Sequence, residues 1–123
     1  MPRLAGHDVD MKNLLEETAA RSARYSGAVR DRRVVPRSQD VERLTALGGP
    51  LPENSCDPME ILALLDDIGS PATVATTGGR YFGFVTGGAL PASVAANWLA
   101  GVWDQNAAFS VMSPVAAKLV NPV

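Results

Sequence analysis

The charged side chains of this 123-residue chain are concentrated in its first 68 residues. The chain holds 11 Lys and Arg and 13 Asp and Glu residues, yet residues 69–123 contain only Arg80, Asp104 and Lys118. A small domain that stands alone in water places charge over all of its exposed surface. The distribution therefore indicates that the second half of the chain is buried against something else.

The overall composition limits the possible partners and cofactors. The net charge of -2 and the sequence pI near 5.3 predict no long-range attraction to nucleic acid or to an acidic membrane. The single cysteine, Cys56, excludes an internal disulfide bond, and no cluster of Cys and His residues indicates a metal site. The N-terminal sequence MPRLAGHDVDMKN lacks the apolar stretch of a secretory signal, so we expect a cytoplasmic protein.

A group of arginines lies between residues 21 and 37. Because Asp31 lies among them and acidic residues flank them, we expect a solvated face rather than an anion-binding patch. The group comprises Arg21, Arg24, Arg30, Arg32, Arg33 and Arg37.

Local signals predict a mainly α chain with little or no sheet. Asp8 or Asp10 is a candidate N-cap for a first helix that runs to about Val29. Ser38 is the candidate cap of a short second helix. The apolar residues of this second helix are expected to point inward, and they are Val41, Leu44 and Leu47.

Three further helices are predicted in the rest of the chain. The strongest signal places Asp57 at the N-cap, Pro58 at the first helical position and Gly69 at the stop. Pro91 begins the next helix, and Ser113-Pro114 begins a last one. The stripe expected to be buried on the Asp57 helix comprises Ile61, Leu64, Leu65 and Ile68.

The segment from Tyr81 to Trp103 is uncharged over its whole length and leaves two alternatives open. It is long enough for a membrane span, but glycines, a proline and polar residues interrupt it. The glycine pairs 78–79 and 87–88 could direct backbone N–H groups at a phosphate, although no phosphate-loop motif is present. We favour tight turns between packed aromatic residues.

The sequence RYFGFVTGGALPASVAANWLAGVWDQNAAFSVMSPVAAKL, residues 80–119, resembles the N-terminal part of the group II pyridoxal-phosphate-dependent amino-acid decarboxylases. Members of that family typically show an aromatic pair, a short turn, a proline-started helix, an amide-rich segment and then Ser-Pro. The corresponding parts of this chain are Tyr81-Phe82, Thr86-Gly87-Gly88, Pro91–Trp103, Asp104-Gln105-Asn106 and Ser113-Pro114.

The resemblance implies fold type I, which is the fold of the aspartate aminotransferases. Such enzymes have a large α/β cofactor domain and form an intertwined dimer, and their mostly helical N-terminal segment packs across the dimer interface. Residues 1–50 would then form a helical arm, and residues 51–123 would form an interface and pocket-lining segment. The large catalytic domain is absent from residues 1–123.

The resemblance also implies site residues and partners. Phe84, Val85 and Thr86 match the turn that lines the substrate pocket, and Thr86 is the candidate for a polar contact with the amino-acid substrate. Asn106 and Phe109 match the segment that reaches into the pocket, in several members from the neighbouring subunit. The plainer alternative is that the two phenylalanines are core residues and that Thr86 only closes a turn.

The chemistry of decarboxylation requires a lysine that forms a Schiff base with pyridoxal phosphate. In the family that lysine follows a histidine, whereas Lys12, Lys118 and His7 lie in no such context here. We therefore assign no catalytic residue and do not expect the cofactor to bind this chain alone. The ending KLVNPV also departs from the family pattern, which suggests a truncated or fragmentary chain.

Three functions follow as hypotheses. The first is the N-terminal, dimer-forming part of a carboxy-lyase that releases carbon dioxide from an α-amino acid; its partner would be a second subunit or the missing C-terminal catalytic portion. The second is a non-catalytic self-association module derived from that family. The third is a small membrane-associated protein.

Overall fold

The computed structural model describes residues 10–86, 88–106 and 108–120, and every regular element among them is a helix. The elements are α1 (Met11–Ala28), α2 (Ser38–Glu42), a 3₁₀ helix (Arg43–Leu47), α3 (Pro58–Ala72), α4 (Pro91–Trp103) and α5 (Pro114–Val120). The prediction of a mainly helical chain is thus confirmed. The described residues divide into two units, one at residues 10–86 and one at residues 88–120. The predicted roles of residues 1–50 and 51–123 in a larger assembly stay predictions.

Helix α1 begins where a side-chain cap is available. The carboxylate of Asp10 accepts a hydrogen bond from the backbone N of Asn13 at 3.2 Å, which satisfies one of the free N–H groups of the first turn. Of the two candidate caps, Asp10 is therefore the one that the structure shows. Asp8 lies outside the described residues. The helix ends at Ala28, one residue before the predicted end.

The prediction for the second helix is wrong in two details. Ser38 is the first helical residue of α2 rather than its cap, which is Arg37. The helix lasts only five residues before the chain tightens into the 3₁₀ helix, so it offers little surface for packing. As a consequence, the side chains predicted to point inward are partly exposed, namely Val41, Leu44 and Leu47.

Helix α3 confirms the predicted start and contradicts the predicted stop. The carboxylate of Asp57 accepts a hydrogen bond from Met59 N at 2.9 Å, and Pro58 occupies the first helical turn. The helix does not stop at Gly69 but continues through Pro71 to Ala72. The last turn is held by side chains, because the hydroxyl of Ser70 donates to the carboxylate of Asp66 one turn earlier.

The core of the first unit is small. Ile68 of α3 is 8% exposed and Ala75 is 1% exposed, and these are the buried apolar residues among those described. Ala75 N donates to Val34 O at 2.9 Å, which fixes the chain after α3 against the chain after α1. Three of the four residues in the predicted buried stripe of α3 are instead exposed, namely Ile61, Leu64 and Leu65.

The second unit contains α4, a turn and α5. Pro91 begins α4 as predicted, and Leu90 O accepts the hydrogen bonds of Ser93 N and Val94 N in its first turn. Asp104 ends the helix in the left-handed conformation with φ 49° and ψ 49°. Pro114 begins α5 as predicted, and Ser113 before it is 1% exposed.

Large apolar side chains remain uncovered along α4. The exposed set comprises Val94, Leu99, Val102 and Trp103. Among the residues that the structure describes, no helix has both the length and the apolar character needed to cross a membrane.

Candidate functional site

The first three predicted site residues lie on a tight turn at the end of the first unit. Tyr81 N donates to Gly78 O at 3.1 Å and closes a turn before them. The ring of Tyr81 folds back over Gly83, where a Cβ atom would lie only 2.8 Å from the tyrosine hydroxyl. Only glycine fits at position 83 without a shift of that ring.

Two consecutive residues of the turn have an unusual backbone conformation. Phe84 and Val85 have φ angles of 54° and 53°, in the left-handed region that β-branched residues rarely adopt. The side chain of Phe84 is 95% exposed, Val85 is fully exposed, and Thr86 is also exposed. The alternative that Phe84 is a core aromatic is thus wrong for the described chain, because its ring has no cover.

The other two predicted site residues lie together in the second unit. The backbone N of Asn106 donates to the Ser113 hydroxyl at 2.8 Å, and the Asn106 side-chain oxygen accepts from Ala108 N at 2.9 Å. Phe109 O accepts from Met112 N at 3.1 Å and from Ser113 N at 3.0 Å. These bonds gather Asn106 and Phe109 into one turn around the buried Ser113.

Ser113 is a residue whose role the sequence did not reveal. The Ser-Pro pair predicted a helix start, but the Ser113 hydroxyl accepts the hydrogen bond from Asn106 seven residues earlier. A serine before a proline carries no sequence signal for such a partner. The ring of Phe109 is exposed, so the core alternative is wrong for this residue as well.

The five predicted residues do not form one site within either unit. Phe84, Val85 and Thr86 belong to the first unit, whereas Asn106 and Phe109 belong to the second. Each group presents exposed apolar side chains on a turn that is fixed by its own unit.

A charged cluster joins α1 to α3 in the first unit. Nη1 of Arg21 lies 2.9 Å from Oδ2 of Asp66 and 3.2 Å from Oδ1 of Asp67. Its Nε lies 2.8 Å from Oε1 of Glu17, within ion-pair distance but outside hydrogen-bond geometry. The guanidinium thus contacts three carboxylates at once.

The cluster shifts the pKa values of both central residues. The hydrogen bond from Ser70 and then the contact with Arg21 lower the pKa of Asp66 below its ordinary value. The hydrogen bond with Asp66 raises the pKa of Arg21 further. The ion pair therefore stays fully charged at neutral pH.

Two more arginines fix the chain after α1, Arg32 against the end of α3 and Arg80 against the chain that follows α3. Nη2 of Arg32 donates to Ser70 O at 2.7 Å, and the Arg32 guanidinium lies 4.7 Å from the centroid of the Tyr25 ring. Nη2 of Arg80 donates to Arg30 O at 2.8 Å. The expectation of a solvated face is therefore wrong for Arg21 and Arg32, which are half-buried.

Arg21 and Arg32 border an open groove of about 590 Å³ in the first unit. It is lined by α1, the chain after it, α2 and the end of α3. Its charged lining residues are Arg21, Arg24, Arg32, Arg33, Arg37, Asp31, Asp40 and Asp66.

The two lysines of the described residues both lie on exposed helix surfaces. Lys12 lies on the exposed face of α1, 3.7 Å from the carboxylate of Glu16, and Lys118 is exposed on the last turn of α5. A Schiff-base lysine needs an environment that lowers its pKa, such as burial or a cationic neighbour. No step of cofactor chemistry is therefore assigned to these residues.

The described part of the chain also shows no group of three or more His, Cys, Asp or Glu side chains placed to hold a metal ion. His7 lies outside the described residues. Comparison with models of known protein families, with curated proteins and with solved structures finds no match for this chain.

Proposed function

We propose that this chain is the N-terminal, subunit-contacting segment of a group II pyridoxal-phosphate-dependent amino-acid decarboxylase of fold type I. The full enzyme releases carbon dioxide from an α-amino acid, and this segment supplies contact surface rather than the reactive lysine. Its location is cytoplasmic. The proposal rests on the resemblance of residues 80–119 together with the uncovered apolar surface of α4.

The surface of α4 is the observation that supports a contact role. Val94, Leu99, Val102 and Trp103 are exposed on one helix, and α4 carries no charged residue. Apolar side chains that cluster on a surface are typical of protein-protein contacts. Small residues on the same helix allow a partner backbone to approach closely, and these are Ala95, Ala96, Ala100 and Gly101.

The two turns with predicted site residues fit the same proposal. Phe84 and Val85 are held exposed on the surface of the first unit by a backbone in a strained conformation. Such strain persists where the surrounding structure fixes it and is often found at functional positions. In the full enzyme, Phe84, Val85 and Thr86 would line the substrate pocket, and Asn106 and Phe109 would reach it from the neighbouring subunit.

A second candidate is a self-association module without catalysis. It is favoured by the exposed positions of Lys12 and Lys118, neither of which is placed to hold the cofactor. In this case the apolar surface of α4 binds a second copy of the chain or a full-length homologue.

Complementation distinguishes the two candidates. A decarboxylase of the family that lacks its own N-terminal segment is mixed with this chain, and carbon dioxide release and cofactor absorbance are measured. Restored activity supports the decarboxylase segment, whereas self-association in light scattering without restored activity supports the module. A chain that remains monomeric and restores nothing contradicts both.

A further inference from the structure

The turn that carries Phe84, Val85 and Thr86 is not held by the side chains that it presents. Phe84 and Val85 have φ angles of 54° and 53°, a conformation that glycine and asparagine adopt far more readily. A strained backbone persists only where the surrounding structure fixes it. Both side chains are almost wholly exposed, so their own packing does not supply that restraint.

The chain that leads into the turn is fixed against the chain after α1. Ala75 N donates to Val34 O at 2.9 Å, and Ala75 is itself buried. Three residues later the two chains approach closely again, because a Cβ atom on Gly78 would lie only 3.3 Å from Val29 O. The segment before the turn is thus held at two points by the first unit.

Arg80 makes a third contact, the last one before the turn. Its Nη2 atom donates to Arg30 O at 2.8 Å and also to Arg32 O. A single charged nitrogen therefore joins the start of the turn to two backbone oxygens that follow α1. Hydrogen bonds from a charged donor are stronger than those between neutral groups.

The contacts of Arg80 bear on the turn through its neighbour Tyr81. Tyr81 N donates to Gly78 O at 3.1 Å, which closes a turn with Arg80 inside it. The ring of Tyr81 in turn lies over Gly83, where a Cβ atom would be 2.8 Å from the tyrosine hydroxyl. Gly83 directly precedes Phe84, so a continuous set of contacts runs from Arg80 to the strained residues.

We infer that Arg80 is the positioning residue of this turn and sets where Phe84, Val85 and Thr86 are presented. Its consequence for a substrate pocket rests on the decarboxylase segment proposed above, in which these three residues line the pocket. Arg80 then acts through the turn and not on the substrate itself. Because Arg80 is exposed, its loss should alter the order of the turn more than the stability of the unit.

Two substitutions separate the donor of Arg80 from the rest of its side chain. Arg80→Met keeps an unbranched apolar stem but has no N–H donor. Arg80→Lys keeps one charged nitrogen with three donors, and one nitrogen is what the two carbonyls contact in Arg80. Lysine should therefore rescue what methionine loses. Arg37→Met is the matched control, because Arg37 is an exposed arginine away from the turn.

The first measurement is NMR spectroscopy of the full chain, which needs no assumption about function. Phe84 and Val85 should show the strong intraresidue HN–Hα NOE of a positive φ and a high heteronuclear ¹⁵N NOE, which reports order on the ps–ns timescale. Arg80→Met should lower both signals, whereas Arg80→Lys and Arg37→Met should keep them. Circular dichroism should show the same helix content in all variants.

Three NMR outcomes overturn the inference. The first is an Arg80→Met chain with both signals unchanged, and the second is an equal loss in Arg37→Met. The third is a loss in Arg80→Lys, which would contradict action through one nitrogen. If Arg80→Met fails to fold, Arg80→Gln replaces it, since its donor lies closer to the backbone, and the same loss is expected.

The second measurement determines KM and kcat in the complementation assay. A glutamate decarboxylase of the family without its own N-terminal segment is the partner, and L-glutamate is the substrate. Arg80→Met should raise KM at least about 5-fold with little change in kcat, because a displaced turn weakens substrate binding. Arg80→Lys should restore KM.

The split between KM and kcat separates positioning from a structural effect. A chain that only folds less well reduces the amount of active complex, which lowers the apparent kcat and leaves KM unchanged. That result in Arg80→Met overturns the role of Arg80 in the pocket. If the unaltered chain restores no activity, the proposed function fails instead, and the NMR measurement alone decides whether Arg80 positions the turn.

Discussion

Nη1 of Arg21 on α1 lies 2.9 Å from Oδ2 of Asp66 on α3, and this ion pair joins residues that are 45 positions apart in the sequence. Asp66 also accepts the hydrogen bond of Ser70 on its own helix. One carboxylate therefore fixes both the contact of the two helices and the last turn of α3.

Asp66→Asn is expected to lower the free energy of unfolding of the first unit by about 1–2 kcal/mol, because it removes charge-assisted hydrogen bonds at a partly buried site. Asp67→Asn is the matched control, since the side chain of Asp67 is 68% exposed against 23% for Asp66. Its effect should stay below about 0.5 kcal/mol, as for other exposed ion pairs. Urea unfolding followed by circular dichroism measures both, and equal losses would contradict the central role of Asp66.

The stability of the first unit is expected to depend on pH through Asp66. Its pKa is lowered in the folded state, so its contribution is fully present above the unfolded-state pKa of about 3.9. That contribution is lost as the pH falls through this value towards the lower folded-state pKa. Unfolding midpoints measured between about pH 6 and pH 3 should fall less steeply in Asp66→Asn than in the unaltered chain. Parallel curves would argue against a lowered pKa.

Val85→Gly is expected to stabilise the first unit by about 0.5–1 kcal/mol, because relief of the left-handed backbone strain outweighs the larger entropy that glycine loses on folding. The valine side chain is fully exposed, so its removal forfeits no packing. Val35 is also exposed, but its backbone is not in the left-handed region. Val35→Gly should therefore destabilise the first unit. Chemical unfolding of both variants checks the opposite signs; destabilisation at both positions means that the strain is absent.

Ser113→Ala should destabilise the second unit by about 1–2 kcal/mol, because the hydroxyl that accepts the hydrogen bond of Asn106 N is buried. Hydrogen exchange of the Asn106 amide is the direct measurement and should become faster. Ser110→Ala serves as the comparison, since Ser110 is exposed and its change should alter stability by less than about 0.5 kcal/mol. Unchanged exchange at Asn106 would show that the bond contributes nothing.

Val102→Lys should weaken self-association or complementation through α4, raising the dissociation constant at least about 10-fold by placing a charge in the apolar contact. Ser93→Lys introduces the same charge at an exposed position on the opposite side of α4 and should have little effect. Analytical ultracentrifugation over a concentration series compares the two. If Ser93→Lys weakens association as much as Val102→Lys, the contact does not use the predicted surface.

Short-range signals predicted the helix starts to within one residue and failed at features that need distant neighbours. Asp57 and Pro58 begin α3 as predicted, because caps act within three residues. Gly69 did not stop that helix, since Ser70 bonds to Asp66 and Arg32 reaches Ser70 O from 38 residues away. The pairing of Arg21 with Asp66 has no local signature at all.

In the candidate site, too, the sequence predicted local features but not those that depend on distant neighbours. The sequence placed Asn106 and Phe109 near a Ser-Pro helix start, and the structure brings them around Ser113. The left-handed conformation of Phe84 and Val85 could not be predicted, because neither is a residue that favours it. Burial of the apolar stripes was overestimated, since periodicity shows which face is apolar but not whether a partner covers it.

The separation of 45 residues between Arg21 and Asp66 has a consequence for synthesis. During translation, α1 leaves the ribosome well before its acidic partners on α3 exist outside the exit tunnel. Over that interval only Glu17 is present among the three carboxylates that Arg21 contacts in the fold, and the face of α1 that later meets α3 is uncovered. This face of α1 is thus open to capture by chaperones until residue 67 emerges, and slower elongation over this stretch would lengthen that exposure.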